Sequence, residues 1–157
     1  MIERIALLSV RPRFARALLN GSKTVEIRRR QAHIPDGAIC LLYASSPVRA
    51  LVGAVSVGAI DTDLPDVLWS RWGACTGLQR DEYDDYLTNS VKACAIVVSG
   101  VVAFPRPVAL SELRRRHSRF VTPQSYRFLG TDELASVLNG EAIHLARLIS
   151  AREPPSF

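Results

Sequence analysis

The 157-residue sequence predicts a single α+β domain, a mixed β-barrel of about five to six strands with short helices inserted between them. Apolar runs of strand length alternate with short amphipathic segments, and the helices are too few and irregular for regular βαβ winding. The chain is long enough for one average domain and too short for two. Its hydrophobic content of 48% is sufficient for a core, which excludes disorder as the main state.

Four strands and one helix are predicted in the first 60 residues. After a compact apolar strand, Pro12 begins a short amphipathic helix that Asn20-Gly21 ends. Val25 and Ile27 then alternate with polar residues, the period-two pattern of a half-buried strand. Gly53 and Gly58 fall within a long β stretch, where glycine indicates bulges or tight bends. The predicted strands are Ile5–Val10, Thr24–Arg28, Ala38–Ala44 and Arg49–Ile60.

Helices predominate in the rest of the sequence. One strongly β-forming run follows two helices, the second of which is acidic. Thr131 is a plausible N-cap for a later helix that Asn139-Gly140 ends. Periodicity leaves Ile143–Ala151 open between strand and helix. The other predicted elements are helices Asp63–Trp72, Gln79–Leu87, Leu110–Arg116 and Thr131–Leu138 and strand Ala93–Phe104.

Composition restricts the environment of the protein. No apolar run reaches the roughly 18 residues that a membrane helix needs, so no membrane association is predicted. Residues 1–4 open directly into a strand-like run and lack the layout of a signal peptide. The odd number of cysteines (Cys40, Cys75 and Cys94), all in apolar surroundings, favours reduced thiols over a disulfide framework. We therefore expect a cytoplasmic protein.

The charge is basic, rich in arginine and segregated along the chain. The formal net charge is +5, and 18 of the 20 basic residues are arginine. Residues 1–60 and 91–127 each carry +6, whereas 61–90 carry −5 and 128–157 carry −2. If the fold brings the two basic blocks together, they form a surface suited to phosphate. The alternative is a solvated arginine face without a partner.

Motifs for metals, nucleotides and nucleophilic serine are missing from the sequence. The histidines (His33, His117 and His144) and the cysteines lie far apart, with no CxxC, HxxxH or HExxH spacing. Neither GxGxxG nor GxxxxGK[ST] nor GxSxG occurs. We predict no metal site and no cofactor.

Charged residues cluster where the first helix gives way to the second strand. Five of the eight residues from Lys23 to Arg30 are charged. On a regular strand Thr24, Glu26 and Arg28 share one face, and Lys23 lies at the turn, where its side chain can reach either face. Such groups can pair with each other and still bind a polar ligand. The alternative is an exposed, salt-bridged strand face.

The segment Gly21-Ser22-Lys23-Thr24-Val25-Glu26-Ile27-Arg28 resembles the GxKxxExR signature of the ASCH domain family, whose fold is similar to the RNA-binding PUA domain. The resemblance covers roughly residues 3–105 and extends to the later Pro123–Arg127 segment. It implies a PUA-like (ASCH) barrel core over residues 1–105, with residues 106–157 as a C-terminal extension packed on the same domain. Further matching segments are Val10–Phe14, Leu42–Ala50 followed by Val52-Gly53, and Ala93–Val102.

The resemblance also implies a cleft lined by Lys23, Glu26 and Arg28 and suited to RNA or a modified nucleoside. One bacterial type of the family removes the acetyl group of N4-acetylcytidine with a lysine, a threonine and a glutamate. That lysine matches Lys23, but the catalytic threonine falls on Glu26 of this sequence. Other members have been proposed as ribonucleases or regulators.

Two assignments of catalytic roles are possible if the protein is an enzyme. A lysine near a carboxylate in a desolvated cleft can be tuned as a base or as an activator of a nucleophile. Glu26 can instead be the base, with Lys23 and Arg28 stabilising an oxyanion. Lys23 and Glu26 are therefore the candidate catalytic residues.

Further candidates for ligand contact lie outside this segment. Ser45 and Ser46 end a strand before Pro47, where they either bind a ligand or satisfy the turn backbone. A tyrosine–arginine pair follows Pro123 in what reads as a loop, and an arginine run ends a short helix, where it either contacts phosphate or is solvated. These candidates are Arg114, Arg115 and Arg116 (with Arg119 nearby) and Tyr126 and Arg127.

Several aromatic and acidic residues have structural interpretations. Tyr43 is more typical of a core residue than of a stacking platform, and Trp69 and Trp72, three apart on a helix, favour packing on the barrel over base stacking. The acidic helix Asp81–Tyr86 would repel a nucleic-acid backbone, so we expect it either away from the cleft or shielding part of the basic surface.

Three functions are consistent with the sequence. We favour nucleic-acid binding, with RNA preferred over DNA, because the threonine of the acetylcytidine-hydrolysing type is missing. The second is a hydrolase acting on RNA or a modified nucleoside through Lys23 and Glu26. The third is a transcriptional regulator that senses a small ligand. The sequence does not predict the oligomeric state.

Overall fold

Strands and short helices alternate along the chain in the computed structural model, which describes residues 5–150. The sequence features at residues 1–4, Ala151 and the C-terminal tail lie outside the described residues. The strands are β1 (Ile5–Val10), β2 (Val25–Arg28), β3 (Ile39–Ala44), β4 (Ala50–Asp63), β5 (Ala93–Ala109) and β6 (Tyr126–Leu129). The helices are α1 (Pro12–Asn20), α2 (Pro65–Trp72), α3 (Arg80–Tyr86), α4 (Leu110–Arg116), α5 (Thr131–Val137) and α6 (Ala142–Ser150).

The six strands form one mixed sheet in the order β2-β5-β4-β3-β1-β6, curled into a half-barrel. β1 and β3 pair in parallel, and the other neighbours pair antiparallel. A mixed sheet with inserted helices confirms the predicted α+β, PUA-like barrel. β2 and β6 are the two edges of this sheet, and they are not hydrogen-bonded to each other as neighbouring strands.

β1 and β3 are almost entirely apolar because both of their faces are covered. Along β1, Ile5 and Leu7 pack with residues of α4, α5 and α6, while Ala6 and Leu8 pack on the other face with residues of α1. A third cluster lies between β2, β5, α2 and α3. β1 is therefore apolar because it is buried on both faces, and each face belongs to a different hydrophobic cluster.

Glycine shapes β4 where the sequence predicts irregularity. The pairing of β4 with β5 shifts register between Leu51 and Gly53, again just before Val57, and once more across Gly58, which confirms both predictions. A Cβ on Gly53 would lie 2.3 Å from the Val102 carbonyl oxygen and 2.8 Å from Leu19 Cδ2. Gly53 thus allows the close approach of β4, β5 and α1.

Most predicted elements are present, with shifted ends. α4 has the predicted bounds, and residues 143–150 of the open segment are helical in α6. β5 continues past Phe104 to Ala109, because the strand bulges through the proline-containing segment and resumes pairing at Val108 with Leu51. α2 begins at Pro65 rather than Asp63. Thr131 is not an N-cap, because Gly130 takes that position.

One strand was not predicted. Tyr126 and Arg127 read as part of a loop, but they belong to β6, which pairs antiparallel with β1. The sheet therefore includes residues from the predicted C-terminal extension, and β5 crosses the position at residue 105 where the core was expected to end.

No helix within residues 5–150 has the length and apolar character needed to cross a membrane.

We predict that Gly53→Ala destabilises the fold. The new Cβ would meet backbone atoms of β5, which cannot move without disturbing the ladder, so we expect a loss of about 1–3 kcal/mol in the free energy of unfolding. Chemical denaturation measures this loss. Gly140→Ala is the control, because nothing lies within 4 Å of its added Cβ. Equal stability of the two variants would contradict the close approach at Gly53.

Candidate functional site

The gap between the two edges of the half-barrel is bridged by a side chain. Arg28, at the end of β2, donates from Nη2 to the Ser9 carbonyl oxygen at 2.7 Å. Its Nη1 donates to Ser125 Oγ at 3.3 Å, just before β6. The backbone N–H of His33 also donates to the Tyr126 hydroxyl at 2.9 Å. Contacts of side chains therefore close the barrel where backbone pairing does not.

A cavity of about 490 Å³ lies beside this closure. Its volume falls within the range of about 300–1,000 Å³ typical of small-molecule sites. Four cationic side chains and two carboxylates take part in its lining. The lining residues are Ser9, Val10, Arg11, Arg13, Phe14, Lys23, Glu26, Ile27, Arg28, Ser45, Leu78, Glu82, Tyr86 and Gln124.

Lys23 is held in the wall of this cavity. Gly21 ends α1 in the left-handed conformation, and the Lys23 backbone N–H then donates to the Ala17 carbonyl oxygen at 3.0 Å. The Lys23 side chain is only 1% exposed, and its Nζ donates to the Thr76 carbonyl oxygen at 2.5 Å. Nζ also lies 4.9 Å from the centre of the Phe14 ring. Lys23 lies at the turn between α1 and β2 as predicted, but its side chain is fixed on one side and does not swing between the two faces.

The surroundings of Lys23 lower its pKa from the ordinary value of 10.5. Burial is the largest cause, because it disfavours the charged ammonium, and Arg28 and Arg13 act in the same direction. The carboxylate of Glu26 opposes the shift. Lys23 can therefore exchange a proton at a lower pH than an exposed lysine.

Glu26 joins the two cations. Its Oε1 lies 3.6 Å from Lys23 Nζ, and its Oε2 lies 3.6 Å from Arg28 Nη2. Glu26 is 6% exposed, and on the opposite face of β2 Val25 and Ile27 are buried beneath α2 and α3. β2 is therefore buried on both faces. The half-buried strand and its alternative, an exposed salt-bridged face, are both wrong, because Glu26 and Arg28 on the polar face line the cavity and are largely shielded from solvent.

Two helices supply the rim of the cavity. Arg11 and Arg13 lie at the start of α1, and Glu82 and Tyr86 lie on α3. Arg13 Nη2 donates to Glu82 Oε2 at 2.7 Å. The acidic helix α3 therefore borders the cleft and does not lie away from it. Of the two predicted positions, the contact between Glu82 and Arg13 fits the one in which the helix shields cationic groups.

None of these four rim residues is among the ligand-contacting candidates predicted from the sequence. The signal for the arginines was the run Arg11-Pro12-Arg13-Phe14, in which a proline places two cations in the first turn of a helix. Nothing local indicates Glu82 or Tyr86, because only the tertiary structure brings α3 to this position.

The predicted serine candidates are separated by the structure. Ser45 lines the cavity, and its backbone N–H donates to the Val10 carbonyl oxygen at 2.8 Å. Ser46, the next residue, is exposed and lies outside the lining. A ligand in the cavity can therefore reach Ser45, whereas a role for Ser46 stays a prediction.

The arginine run on α4 also lies outside the cavity lining. Arg115 pairs with Glu112. Arg116 pairs with Glu112 at 3.1 Å and with Glu141 at 3.0 Å. Burial raises the pKa of the Glu141 carboxyl, but the hydrogen bonds from Arg116 and the backbone outweigh it and leave the pKa below its usual value. Arg116 thus links α4 to the start of α6, whereas Arg114 is exposed.

Tyr126 and Arg127 lie on β6, outside the lining of the cavity. Arg127 pairs with Glu133 at 2.5 Å and donates to the Val121 carbonyl oxygen at 2.9 Å. Tyr126 packs edge-to-face on Phe128 with ring centres 6.2 Å apart. Both side chains therefore have structural contacts, and their contact with nucleic acid stays a prediction.

The tryptophans pack within the protein. Trp69 lies against Tyr83 with ring centres 4.8 Å apart. Trp72 Nε1 donates to Asp61 Oδ2 at 2.8 Å. This hydrogen bond, together with those from Arg71, holds the pKa of the Asp61 carboxyl below its usual value against the effect of burial. The structural interpretation of both residues fits these contacts.

Within residues 5–150, no group of three or more His, Cys, Asp or Glu side chains is placed to hold a metal ion.

Each comparison with known proteins finds the same family. The ASCH domain model matches residues 8–101. An ASCH domain-containing ribonuclease of Zymomonas mobilis is 33% identical over 134 residues, which span 85% of this chain and 90% of that protein. The crystal structure of ASCH from Zymomonas mobilis matches with a TM-score of 0.80 at 33% identity, covering 85% of this chain and 92% of that chain.

A more distant structure shares the fold alone. Human THYN1, in complex with DNA containing 5-methylcytosine, matches with a TM-score of 0.52 at 11% identity and covers 98% of this chain and 100% of that chain.

We predict that Lys23 titrates below pH 10.5, because it is buried. Lys23 and Lys92 are the only lysines of the chain, so NMR of protein labelled at lysine gives two side-chain signals. The signal lost in Lys92→Arg belongs to Lys92, and the remaining signal reports the titration of Lys23. A midpoint for Lys23 at or above 10.5 would show that its pKa is not lowered.

Proposed function

The chain belongs to the ASCH domain family, and we propose that it binds single-stranded RNA at the cavity and cleaves phosphodiester bonds there. The observation that carries this proposal is the buried Lys23–Glu26–Arg28 cluster in the wall of a cavity with two more arginines at its rim. A relative of 33% identity that shares most of its length with this chain is a ribonuclease, which supports cleavage as well as binding.

The shape and charge of the cavity favour a strand whose bases are unpaired. A cavity of about 490 Å³ accommodates an unstacked nucleotide but no base-paired segment. Phe14 and Tyr86 offer aromatic surface to a base, and Arg11 and Arg13 offer donors to phosphate oxygens. Ser45 and Gln124 add neutral hydrogen-bonding groups.

The buried cluster can supply the chemistry. Cleavage of a phosphodiester needs proton transfer at the attacking or leaving oxygen and stabilisation of the charge that develops on phosphorus-bound oxygens. Lys23 has a lowered pKa and is the group most suited to exchanging a proton. Glu26 positions the Lys23 ammonium, and Arg28 in turn holds Glu26 in place. Arg11 and Arg13 contribute positive potential toward phosphate.

We predict that Lys23→Met lowers cleavage of labelled single-stranded RNA at least about 100-fold, the contribution expected of a positioned proton-transfer group. Gel analysis of the products measures the rate. Lys92→Met is the matched control, because this lysine is exposed and lies outside the cavity, and we expect no change in its rate.

Loss of a buried charge can also impair folding, so a second variant completes the test. Glu26→Gln keeps the shape of the side chain but removes the charge between Lys23 and Arg28, and we expect a similar loss of cleavage. Circular dichroism and thermal melting identify folded variants. Wild-type cleavage rates in folded Lys23→Met and Glu26→Gln would overturn the proposed role of the cluster. RNA binding by the wild type without any cleavage would overturn the proposed reaction, and acetate release from N4-acetylcytidine would indicate the amidohydrolase type instead.

We predict that Glu82→Gln strengthens RNA binding by a factor of about two to five at low salt. The Glu82 carboxylate occupies Arg13, and a phosphate must displace it. Glutamine keeps the capping contact, in which the Gln79 backbone N–H donates to residue 82 at 3.4 Å. Fluorescence anisotropy measures the affinity.

Asp85→Asn controls for the change in net charge, because Asp85 is exposed on the same helix and lies outside the cavity lining. We expect a smaller effect from this variant. Equal effects of the two substitutions would show that only the net charge matters.

A further inference from the structure

The ammonium of Lys23 is held by a loop that lies between α2 and α3, residues 73–78. Lys23 Nζ donates to the Thr76 carbonyl oxygen at 2.5 Å. The backbone N–H of the next residue, Thr24, donates to the Cys75 carbonyl oxygen at 2.9 Å. The 73–78 loop is thus joined to the residues that lead into β2 through a side chain and through the backbone.

The same loop runs beside the aliphatic part of Lys23. Gly77 has a φ of 69°, in the left-handed region that favours glycine. A Cβ on Gly77 would lie 3.5 Å from Lys23 Cβ and 3.7 Å from Lys23 Cγ and Cδ. The peptide bond between Thr76 and Gly77 carries the carbonyl that Lys23 contacts, so the backbone conformation of Gly77 helps to set the direction of that carbonyl.

The side chain of Thr76 fixes the loop from within. Thr76 is 0% exposed, and its hydroxyl donates to the Gly73 carbonyl oxygen at 2.8 Å. The same hydroxyl oxygen accepts from the backbone N–H of Leu78 at 3.2 Å. One side chain therefore bridges the first and the last residue of the loop. Because Thr76 contacts Lys23 through its backbone, its hydroxyl acts on the lysine by holding the loop in shape.

The Thr76 carbonyl determines which proton of Lys23 is left for a substrate. An ammonium has three N–H donors. Thr76 accepts from one of them, and Glu26 Oε1, 3.6 Å from Nζ, attracts a second. The Phe14 ring, with its centre 4.9 Å from Nζ, covers another side of the ammonium. The remaining N–H is the one available to a ligand in the cavity.

We infer that Thr76 is a positioning residue for the proposed reaction: its hydroxyl holds the 73–78 loop so that the Thr76 carbonyl oxygen orients the Lys23 ammonium toward the substrate phosphodiester. This inference rests on the proposed function. Thr76 is not among the residues that line the cavity, so it acts on the substrate through Lys23. A carbonyl that accepts from the ammonium also favours the charged form of the lysine.

Thr76→Val tests the inference, because it removes the hydroxyl and keeps the size of the side chain. We expect cleavage of single-stranded RNA to fall about tenfold to 100-fold, since a small misplacement of a reacting group has an effect of this size. Loss of the carbonyl acceptor should move the NMR titration midpoint of Lys23 to a lower pH than in the wild type. The pH profile of kcat/KM should shift with it, because this profile reports ionisation of the free enzyme.

Two threonine variants separate positioning from packing. Thr76→Ser keeps the hydroxyl and should have the cleavage rate and the Lys23 midpoint of the wild type. Thr88→Val is the matched control, because Thr88 is exposed outside the cavity lining and its hydroxyl also donates to a backbone carbonyl, that of Asp84 at 3.1 Å. We expect no change in this variant. A loss of cleavage equal to that in Thr76→Val would contradict the role of the loop.

The charged groups that face Lys23 are the same in all of these variants. They are Glu26 and Arg28 on β2 and Arg13 on α1. A change in the Lys23 midpoint therefore reports the loop and not an altered charge.

The backbone provides an independent test, which holds even if Thr76→Val fails to fold. Gly77→Ala disfavours the φ of 69° and so turns the Thr76 carbonyl away from Lys23. We expect a loss of cleavage and a shift of the Lys23 midpoint in the same direction as in Thr76→Val. Gly37→Ala is the control: Gly37 has a φ of 82°, nothing lies within 4 Å of its added Cβ, and it is outside the cavity lining. This control should lose stability without any change in the Lys23 midpoint.

The outcomes separate this inference from the proposed function. Wild-type cleavage that Lys23→Met abolishes, but that folded Thr76→Val and Gly77→Ala retain in full, would overturn the inference alone. A Lys23 midpoint that stays unchanged in these variants would overturn it too, and a midpoint that rises toward 10.5 would show that the loop only shields the lysine from water. A wild-type protein that cleaves no RNA would overturn the proposed reaction, and the NMR midpoint would then decide by itself whether the loop holds Lys23.

Discussion

The position of Glu26 between Lys23 and Arg28 is the constraint on which both the closure of the barrel and the cavity depend. A half-barrel leaves two edge strands whose backbone groups do not pair with each other. Arg28 bridges that gap by donating to Ser9 and Ser125, and it can be buried there because Glu26 compensates its charge. Lys23 in turn compensates the second oxygen of Glu26. Removal of any member leaves a buried charge with too few partners, so the three residues stabilise the structure as a unit.

The same burial prepares these groups for chemistry. In a site shielded from water, charges interact more strongly than at the surface, and fixed donors need no reorganisation when a charge develops on a substrate. Lys23 illustrates the balance: desolvation favours its neutral form, and Glu26 favours the charged one. A lysine balanced in this way loses its proton more readily than an exposed lysine does. The structural and the chemical demands on the cluster therefore coincide, and one signature in the sequence serves both.

The predictable part of this molecule is the part that local sequence determines. Apolar runs, proline and glycine predict β1, α1 and α4 nearly residue by residue, and the GxKxxExR motif alone groups Lys23, Glu26 and Arg28 in one cleft. β6 was not predicted because it has only four residues, one of them an arginine. What makes these residues a strand is their pairing with β1, which lies more than 100 residues earlier in the chain. The burial of β2 on both faces was missed for a related reason, since the polar face is covered by distant elements. Glu82 reaches the cavity only through the packing of α3.

Charge shows most clearly why composition alone could not locate the function. The surplus of +5 suggested an anionic partner, and segregation into blocks suggested a surface. The fold instead sorts charges by pairing: Arg116 and Arg127 are neutralised by carboxylates, and Glu82 of the acidic block lies in the basic cleft. Among the described residues, the cations available to an anionic ligand are therefore those that tertiary structure leaves without a carboxylate, together with those whose carboxylate is exposed and exchangeable. Because an exposed ion pair is worth little, a phosphate can displace Glu82 from Arg13, whereas the buried pair of Glu26 and Arg28 resists exchange and keeps the barrel closed.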